Sequence, residues 1–333
     1  MLEVSALGWT VTIGVIVALL ALDLTLGVLR PHVVGFREAA AWSIFYIAVA
    51  IAFGVVFGSI AGWDFGTEYF AGYIVEKSLS VDNLFVFVII MGTFAVPERY
   101  QQEVLTFGII IALVLRVIFI AVGAALLSAF SFMFLIFGLI LLYTAVQLFR
   151  HRDEDPSVDD NALVKAGRRF LPITDDYVEG KMVTKIDGKR MFTPLFLVLL
   201  AIGGTDLLFA LDSIPAVFGV TEEAYIVFVA NAFALLGLRA LFFLVKGLLD
   251  RLVYLSTGLS IILAFIGVKL VLHWAHKDLS ESVPEVSTPV SLGVIIGILV
   301  ITTVASLIKS RKDPSLKAHP GSLRAKSEQH ADK

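Results

Sequence analysis

Two short segments of the chain place acidic residues at the same spacing. In EKSLSVDN and in DLLFALDS, an acid stands six residues before an aspartate that a small polar residue follows. Both segments lie in long apolar runs, where a charged side chain costs at least ~2.5–3.5 kcal/mol on insertion into a bilayer. Carboxylates with amide and hydroxyl oxygens form a hard ligand set that suits Mn²⁺, Mg²⁺ or Ca²⁺. The predicted metal ligands are Glu76, Asp82, Asn83, Asp206, Asp212 and Ser213.

Two arginines stand in the next apolar run after each acidic segment. Arg116 lies in LRVIF and Arg239 in LRALF, and we expect both to compensate the charge of the acids. Four carboxylates against two guanidinium groups leave two negative charges in excess, which a divalent cation or protons would cancel. In the alternative interpretation, which we call the bracing alternative, the acids pair only with the arginines and stabilise the helix bundle. Asp23 either faces the same cavity or snorkels, and Asn231 either adds an amide oxygen or bonds a neighbouring helix.

The six-residue spacing constrains the helix that carries each acidic pair. Residues i and i+6 of a straight helix point about 120° apart, so one helix cannot aim both carboxylates at one point. Either the helix is interrupted, or each acid meets a different neighbour. Gly203 and Gly204 precede the second pair and Pro215 follows it, which favours local unwinding there.

The composition of the chain is that of a membrane protein. Of its 333 residues 58% are hydrophobic and 17% are charged, against about 25% charged in soluble domains. Apolar runs of 20 or more residues are long enough to cross a bilayer, and their continuity favours helices over barrel strands. These features exclude a soluble enzyme, and the absence of cysteine excludes a disulfide scaffold and thiolate metal ligands. A net charge of −3 gives no indication of nucleic-acid binding.

The sequence predicts an all-α, polytopic membrane helix bundle of about nine transmembrane helices. The predicted spans are 7–29, 40–62, 69–96, 103–123, 127–149, 194–220, 224–245, 249–273 and 289–309. Basic residues gather in alternate loops, which places the N-terminus outside and the C-terminus in the cytoplasm. The 150–193 loop mixes acids and bases and is interpreted as a solvated connector.

The acidic and arginine motifs recur in order, and so does a third motif. AVQL at 145–148 aligns with GVKL at 267–270, each in the helix after the arginine. A unit of three helices is odd, so the second copy must enter the membrane from the opposite face. Such inverted repeats are typical of secondary transporters, with the site near the midplane. The predicted segments are 1–68 (two helices), 69–149 and 194–275 (the repeats), 150–193 (cytoplasmic loop), 276–310 (ninth helix) and 311–333 (disordered tail).

The segments EKSLSVDNLFVF, DLLFALDSIPAVFGVT and NAFALLGLRALFFL resemble the signature segments of the TerC family of integral membrane proteins. LLALDLTLGV in the first helix and the large central loop resemble the Alx branch of that family. The likeness covers about residues 7–275. It implies a bacterial inner-membrane manganese exporter from a family named for tellurium resistance, and it carries metal-binding roles onto the six predicted ligands.

The leading hypothesis is a secondary transporter, not an enzyme, that exports Mn²⁺ in exchange for protons. Its partners would be the lipid bilayer and the transported ion, with no permanently bound cofactor and no nucleic acid. One alternative is a membrane factor that supplies metal to exported proteins or assists their assembly. Another is an intramembrane aspartyl protease, although the chain reads GGTD at 203–206 and has no GxGD or YD motif.

Overall fold

The computed structural model describes residues 2, 4–28, 34–152, 162–174, 176–178, 180–186, 189–245 and 252–312. These residues form eleven helices and one two-stranded antiparallel hairpin. The helices are α1 (Ala6–Val28), α2 (Phe36–Ala61), α3 (Trp63–Thr93), α4 (Glu98–Ala129), α5 (Met133–Arg150), α6 (Ala162–Phe170), α7 (Pro194–Phe218), α8 (Ala224–Leu235), α9 (Leu238–Val245), α10 (Leu255–Asp278) and α11 (Thr288–Lys312). The hairpin consists of β1 (Val183–Ile186) and β2 (Lys189–Phe192).

The helices form a polytopic membrane bundle, as predicted. Seven of the described helices are long and apolar enough to cross a membrane, or eight if the bent pair α8 and α9 is one span. The long helix α3 is not among them because charged residues recur along it, with Glu76 and Lys77 near its middle and Asp82 shortly after. Counting α3 and the bent pair, the long helices correspond to the nine predicted segments, but α3 begins at Trp63, six residues earlier than predicted. The count of nine spans stays a prediction.

The helix interruption that the sequence predicted near the second acidic pair is wrong, because the break lies in a different span. The helix α7 runs without a break from Pro194 through the Gly203–Gly204 pair to Phe218, three residues beyond Pro215. The break lies in the next span instead, where α8 and α9 meet at an angle of 42°. Glycine permits a helix to break but does not require it, and transmembrane helices tolerate glycine well.

The connection between α5 and α7 is more structured than the predicted solvated connector. It contains α6 and the β1–β2 hairpin, and α6 packs on α7 with Gly167 against Leu197 and Leu200. The Tyr177 hydroxyl donates a 2.5 Å hydrogen bond to the carbonyl of Phe94, in the turn between α3 and α4. The connection therefore lies against the bundle, on the same face as that turn.

The loops that alternation assigns to the opposite face also come together. The Thr221 hydroxyl donates to Glu68 at 2.5 Å, which joins the α7–α8 loop to the start of α3. The backbone N–H of Leu2 donates to Glu223 at 2.9 Å, which brings the N-terminal segment to the same loop. The described loops thus fall into two groups, as alternating spans require, and the orientation of the two faces stays a prediction.

A histidine bridges two acids on this second face. His273 Nε2 lies 2.9 Å from Glu222 Oε1, and His273 Nδ1 lies 2.5 Å from Glu285 Oε1. The hydrogen bond from His273 holds the pKa of the Glu222 carboxyl below its ordinary value of 4.5. The bridge ties the α7–α8 loop, α10 and the α10–α11 loop together.

The packing of the helices follows a reciprocal pattern. The first helix of each predicted unit packs on the second helix of the other, α3 on α8 and α7 on α4. The third helices, α5 and α10, pack on each other through Gly138 and Gly267: a Cβ atom on either glycine would lie within 2.9 Å of the carbonyl oxygen of the other. Two units related by a two-fold axis would pack in this way. The inverted repeat itself stays a prediction.

Candidate functional site

Arg116 of α4 is the centre of a buried polar cluster. Its side chain has no exposed surface, and its Nη1 atom forms an ion pair with Glu76 of α3, which is equally buried. Its Nη2 atom lies 3.2 Å from Asp206 Oδ1 of α7, whose exposed fraction is 2%. One guanidinium group therefore serves two carboxylates, one from each predicted repeat.

Two amides complete the surroundings of Arg116. Its Nη1 atom donates to Asn231 Oδ1 of α8 at 3.4 Å. With the Asn83 amide oriented to satisfy both of its groups, the oxygen accepts from Arg116 Nη2 at 3.2 Å and the nitrogen donates to the carbonyl of Leu79 at 3.0 Å. The cluster thus joins α3, α4, α7 and α8.

Each carboxylate of the cluster keeps one oxygen without a partner. Among the residues that the structure describes, Glu76 Oε2 and Asp206 Oδ2 are buried and have no hydrogen-bond partner. A buried polar atom without a partner costs about 1–3 kcal/mol, and more when the group is charged. With two carboxylates and one guanidinium, the cluster also has one negative charge in excess. A bound cation would both contact the two unpartnered oxygens and cancel the excess negative charge.

A second ion pair joins the N-terminal helices to the broken span. Arg239 Nη2 of α9 lies 3.0 Å from Asp23 Oδ1 of α1, and the Tyr46 hydroxyl of α2 donates to the same oxygen at 3.3 Å. Asp23 is 8% exposed and Arg239 is 6% exposed. Of the two interpretations of Asp23, snorkelling is therefore wrong, because its carboxylate is paired inside the bundle.

Asp212 lies at a third place. Its Oδ1 atom accepts a 2.8 Å hydrogen bond from the Thr144 hydroxyl of α5, while the neighbouring Ser213 hydroxyl is buried without a partner in the described part of the chain. Asp206 and Asp212 thus meet different neighbours across the same unbroken helix, the second of the two arrangements that the spacing allowed. The Asp82 side chain lies outside the described residues.

The described acids do not form a preassembled metal site. In ranges 4–28, 34–152 and 162–312, omitting the undescribed gaps, no group of three or more histidine, aspartate or glutamate side chains is arranged to hold a metal ion. The predicted ligands Glu76, Asn83 and Asp206 come together around Arg116, whereas Asp212 and Ser213 lie apart. Their role as metal ligands stays a prediction.

The comparison with known proteins identifies the family. A family model described as "Integral membrane protein TerC family" matches residues 61–314, from the end of α2 through α11. This chain belongs to the TerC family. The match includes both copies of the acidic segment and both arginines, but Asp23 lies outside it.

Several relatives share most of their length with this TerC chain. An uncharacterized membrane protein of Mycobacterium tuberculosis is 48% identical over an alignment of 320 residues that covers 92% of this chain and 80% of that protein. The chloroplastic thylakoid membrane protein TERC of Arabidopsis thaliana is 42% identical, over 76% of this chain and 66% of the plant protein. A Salmonella typhi protein named as a membrane-bound redox modulator, Alx, is 35% identical, over 91% of this chain and 95% of its own. No solved structure matches the chain.

Sequence reasoning missed three polar partners in this TerC chain. Thr144 and Tyr46 bind the predicted acids, but hydroxyl groups carry no distinctive signal in an apolar helix. Lys77 follows Glu76 directly, and its ammonium group donates to a backbone carbonyl of α8. Lys77 could have been singled out from the sequence, because a lysine in the middle of a membrane span is costly and therefore has a specific role by default.

Proposed function

We propose that this TerC protein is a secondary transporter that exports a divalent cation, with Mn²⁺ as the expected ion, in exchange for protons. The observation that carries the proposal is the Arg116 cluster. Glu76 and Asp206 come from the two predicted repeats, share one arginine and each keep one buried oxygen free. The midplane interface between repeats is where secondary transporters bind their cargo.

The cluster has the chemistry of a hard-cation site. The free carboxylate oxygens of Glu76 and Asp206 and the amide oxygens of Asn83 and Asn231 are ligands that Mn²⁺, Mg²⁺ and Ca²⁺ accept. Binding of a divalent ion requires Arg116 to withdraw, since its guanidinium lies between the carboxylates. Arg116 would return, or protons would bind, when the ion leaves, because a buried excess of negative charge is costly. Such an exchange would couple metal and proton movement in opposite directions.

The bracing alternative is supported by the same ion pairs. If Glu76 and Asp206 only hold Arg116, the protein would act as a membrane factor in metal supply or assembly and would move no ion itself. The name of the Salmonella relative suggests redox modulation, but a thiol–disulfide reaction in this chain is excluded by its lack of cysteine. The protease alternative is disfavoured because Asp206 and Asp212 bind Arg116 and Thr144 rather than sharing a proton.

Ion flux in proteoliposomes tests the proposal. Purified protein is reconstituted, and uptake of Mn²⁺, Mg²⁺, Ca²⁺ and Zn²⁺ is compared side by side with a pH-sensitive dye trapped inside. We expect Mn²⁺ flux with opposite proton movement and a loss of at least ~10-fold in Asp206→Asn, because that variant removes a carboxylate from the cluster. Asp64→Asn is the matched control, since Asp64 is exposed at the start of α3.

Three results would contradict parts of the proposal. The absence of flux for all four ions in the unaltered protein, or equal flux in Asp206→Asn and Asp64→Asn, would favour the bracing alternative. Full Mn²⁺ flux without a dye response and without any effect of an imposed pH gradient would exclude proton exchange and leave facilitated diffusion.

We also propose that the protein lies in a bacterial inner membrane with its N-terminus outside. The support is the concentration of basic residues on the face that carries α6 and the hairpin, which the positive-inside rule places in the cytoplasm.

A further inference from the structure

The break between α8 and α9 exposes backbone groups inside the bundle. Leu236 is extended and Gly237 has a φ of +75°, so the hydrogen-bonded ladder of α8 ends before α9 begins. A side chain on Gly237 is excluded both by this φ and by the Tyr46 ring, which would lie 2.5 Å from its Cβ atom. The last carbonyls of α8 and the first N–H groups of α9 therefore lose their helical partners, which is costly where water is scarce.

Lys77 of α3 provides a partner for one of these carbonyls. Its Nζ atom donates a 2.9 Å hydrogen bond to the carbonyl oxygen of Ala234, in the last turn of α8. In an unbroken helix, that oxygen would accept from the N–H of Leu238, which now begins α9. The C-terminal end of a helix carries a partial negative charge, so an ammonium group is favoured there by charge as well as by its hydrogen bond.

An ion pair stabilises the α9 side of the break. Arg239 is the second residue of α9 and forms the ion pair with Asp23 of α1. Tyr46 of α2 donates to Asp23 and packs against Gly237. Side chains from α1, α2 and α3 thus fix the break on both sides, and none of these contacts belongs to the Arg116 cluster.

We propose that the C-terminal end of α8 is a cation site and that Lys77 is its resident, tethered ammonium ion. Broken helices in transporters offer the carbonyls of such ends to free inorganic cations. Here the chain supplies the cation itself. Lys77 is then a positioning residue: it fixes the last turn of α8, and Asn231, one turn earlier, contacts Arg116. The inference does not depend on the transported ion.

Chemical rescue by small amines tests this proposal. In Lys77→Ala the ammonium group is lost and space for a small amine is left at the carbonyl of Ala234. We expect the midpoint of thermal unfolding in detergent, without metal, to fall by about 5 °C, because a hydrogen bond to a charged group is removed. Ethylammonium or propylammonium should restore the midpoint progressively with concentration, as a ligand of the folded state does.

Five controls test whether the rescue is specific. Tetramethylammonium has the charge but no N–H donor, and we expect no recovery with it. The unaltered protein and Lys277→Ala should not respond to amines, because Lys277 is exposed at the end of α10. Lys77→Arg keeps charge and donors and should unfold near the unaltered midpoint, whereas Lys77→Met keeps the volume alone and should resemble Lys77→Ala.

Several outcomes would overturn the tethered cation. An unaltered midpoint in Lys77→Ala would show that the contact contributes nothing. A lowered midpoint that no amine restores, or that tetramethylammonium restores equally, would leave packing or general ionic strength as the cause. If Lys77→Ala does not fold, the comparison of Lys77→Arg with Lys77→Met decides, because equal losses in both would exclude a role for the charge. Since these readouts involve no metal, they stand whether or not the protein moves Mn²⁺.

Discussion

Arg116 is a fully buried cation whose partners come from three other helices. Its guanidinium contacts the carboxylates of Glu76 and Asp206 and the amide of Asn231. A buried ion pair of this kind is weak evidence for stability as a whole, but removal of one partner leaves an uncompensated charge. The carboxylates that remain would then have to bind protons or draw in water.

At this scale, replacement of Arg116 is expected to be strongly destabilising. Arg116→Met should lower the free energy of unfolding by about 3–5 kcal/mol, because it leaves two carboxylates buried without a cation. Adding Asp206→Asn to that variant should recover part of the loss. Chemical unfolding in detergent micelles measures both effects.

The control for this prediction is Arg99→Met. Arg99 is exposed and lies over the Tyr100 ring at 4.6 Å, a contact worth about 0.5–1 kcal/mol. Equal losses in the Arg116 and Arg99 variants would contradict the central role of Arg116.

At the scale of the elements, the backbones of α5 and α10 come into close contact at two glycines. The carbonyl oxygen of Gly267 would lie 2.8 Å from a Cβ atom on Gly138, and the reverse distance is 2.9 Å. Because both neighbours are backbone atoms, a methyl group can be accommodated only if the helices move apart. Small residues at this crossing are thus a condition of the packing between the predicted repeats.

Gly138→Ala should therefore destabilise the bundle, although alanine favours helices. We expect a loss of about 1–3 kcal/mol from overpacking, seen as a lower midpoint of thermal unfolding in detergent. The matched control is Gly293→Ala in α11, where a Cβ atom would have nothing within 4 Å. That variant should gain up to about 1 kcal/mol from helix propensity. A stabilised Gly138→Ala would show that the close approach of α5 and α10 does not limit the packing.

For the whole molecule, contacts among loops define two faces of the bundle. The α7–α8 loop contacts the start of α3, and His273 of α10 bridges that loop to the α10–α11 loop. On the other face, the segment before the hairpin contacts the turn between α3 and α4. This division agrees with the alternation of basic and acidic loops along the chain. The concentration of lysine and arginine on one of these faces is the feature that predicts which face lies in the cytoplasm.

Cysteine labelling tests the two faces directly, since the chain has no cysteine of its own. Glu222→Cys and Glu285→Cys, whose parent residues both contact His273, should react with an impermeant maleimide in right-side-out vesicles. Lys185→Cys, in the exposed strand β1, should react only in inverted vesicles. Labelling of Lys185→Cys and Glu222→Cys from the same side would contradict the arrangement of spans. A reversed pattern for all three would contradict only the proposed orientation.

Hydropathy and motif spacing alone determined the class of this protein and the approximate position of its spans. They could do so because membrane insertion depends on the composition of continuous segments, which the sequence shows directly. The same reasoning placed Glu76, Asp206 and Arg116 at membrane depth, because charges in apolar runs are conspicuous. The resemblance of three segments to the TerC family was a separate inference, and the comparison confirmed it.

Only the tertiary structure determined which charged side chains form ion pairs with each other. Arg116 reaches Asp206 across 90 positions of sequence, and Arg239 reaches Asp23 across 216, whereas the repeated motifs alone suggested one shared site. The position of the helix break was decided in the same way. Both Gly203 and Gly237 could permit a helix to break, but the break lies at Gly237. There Lys77 of α3 donates a hydrogen bond to the carbonyl of α8 that the break leaves without a helical partner. Such pairings depend on the contacts between distant helices, and no local pattern of residues records them.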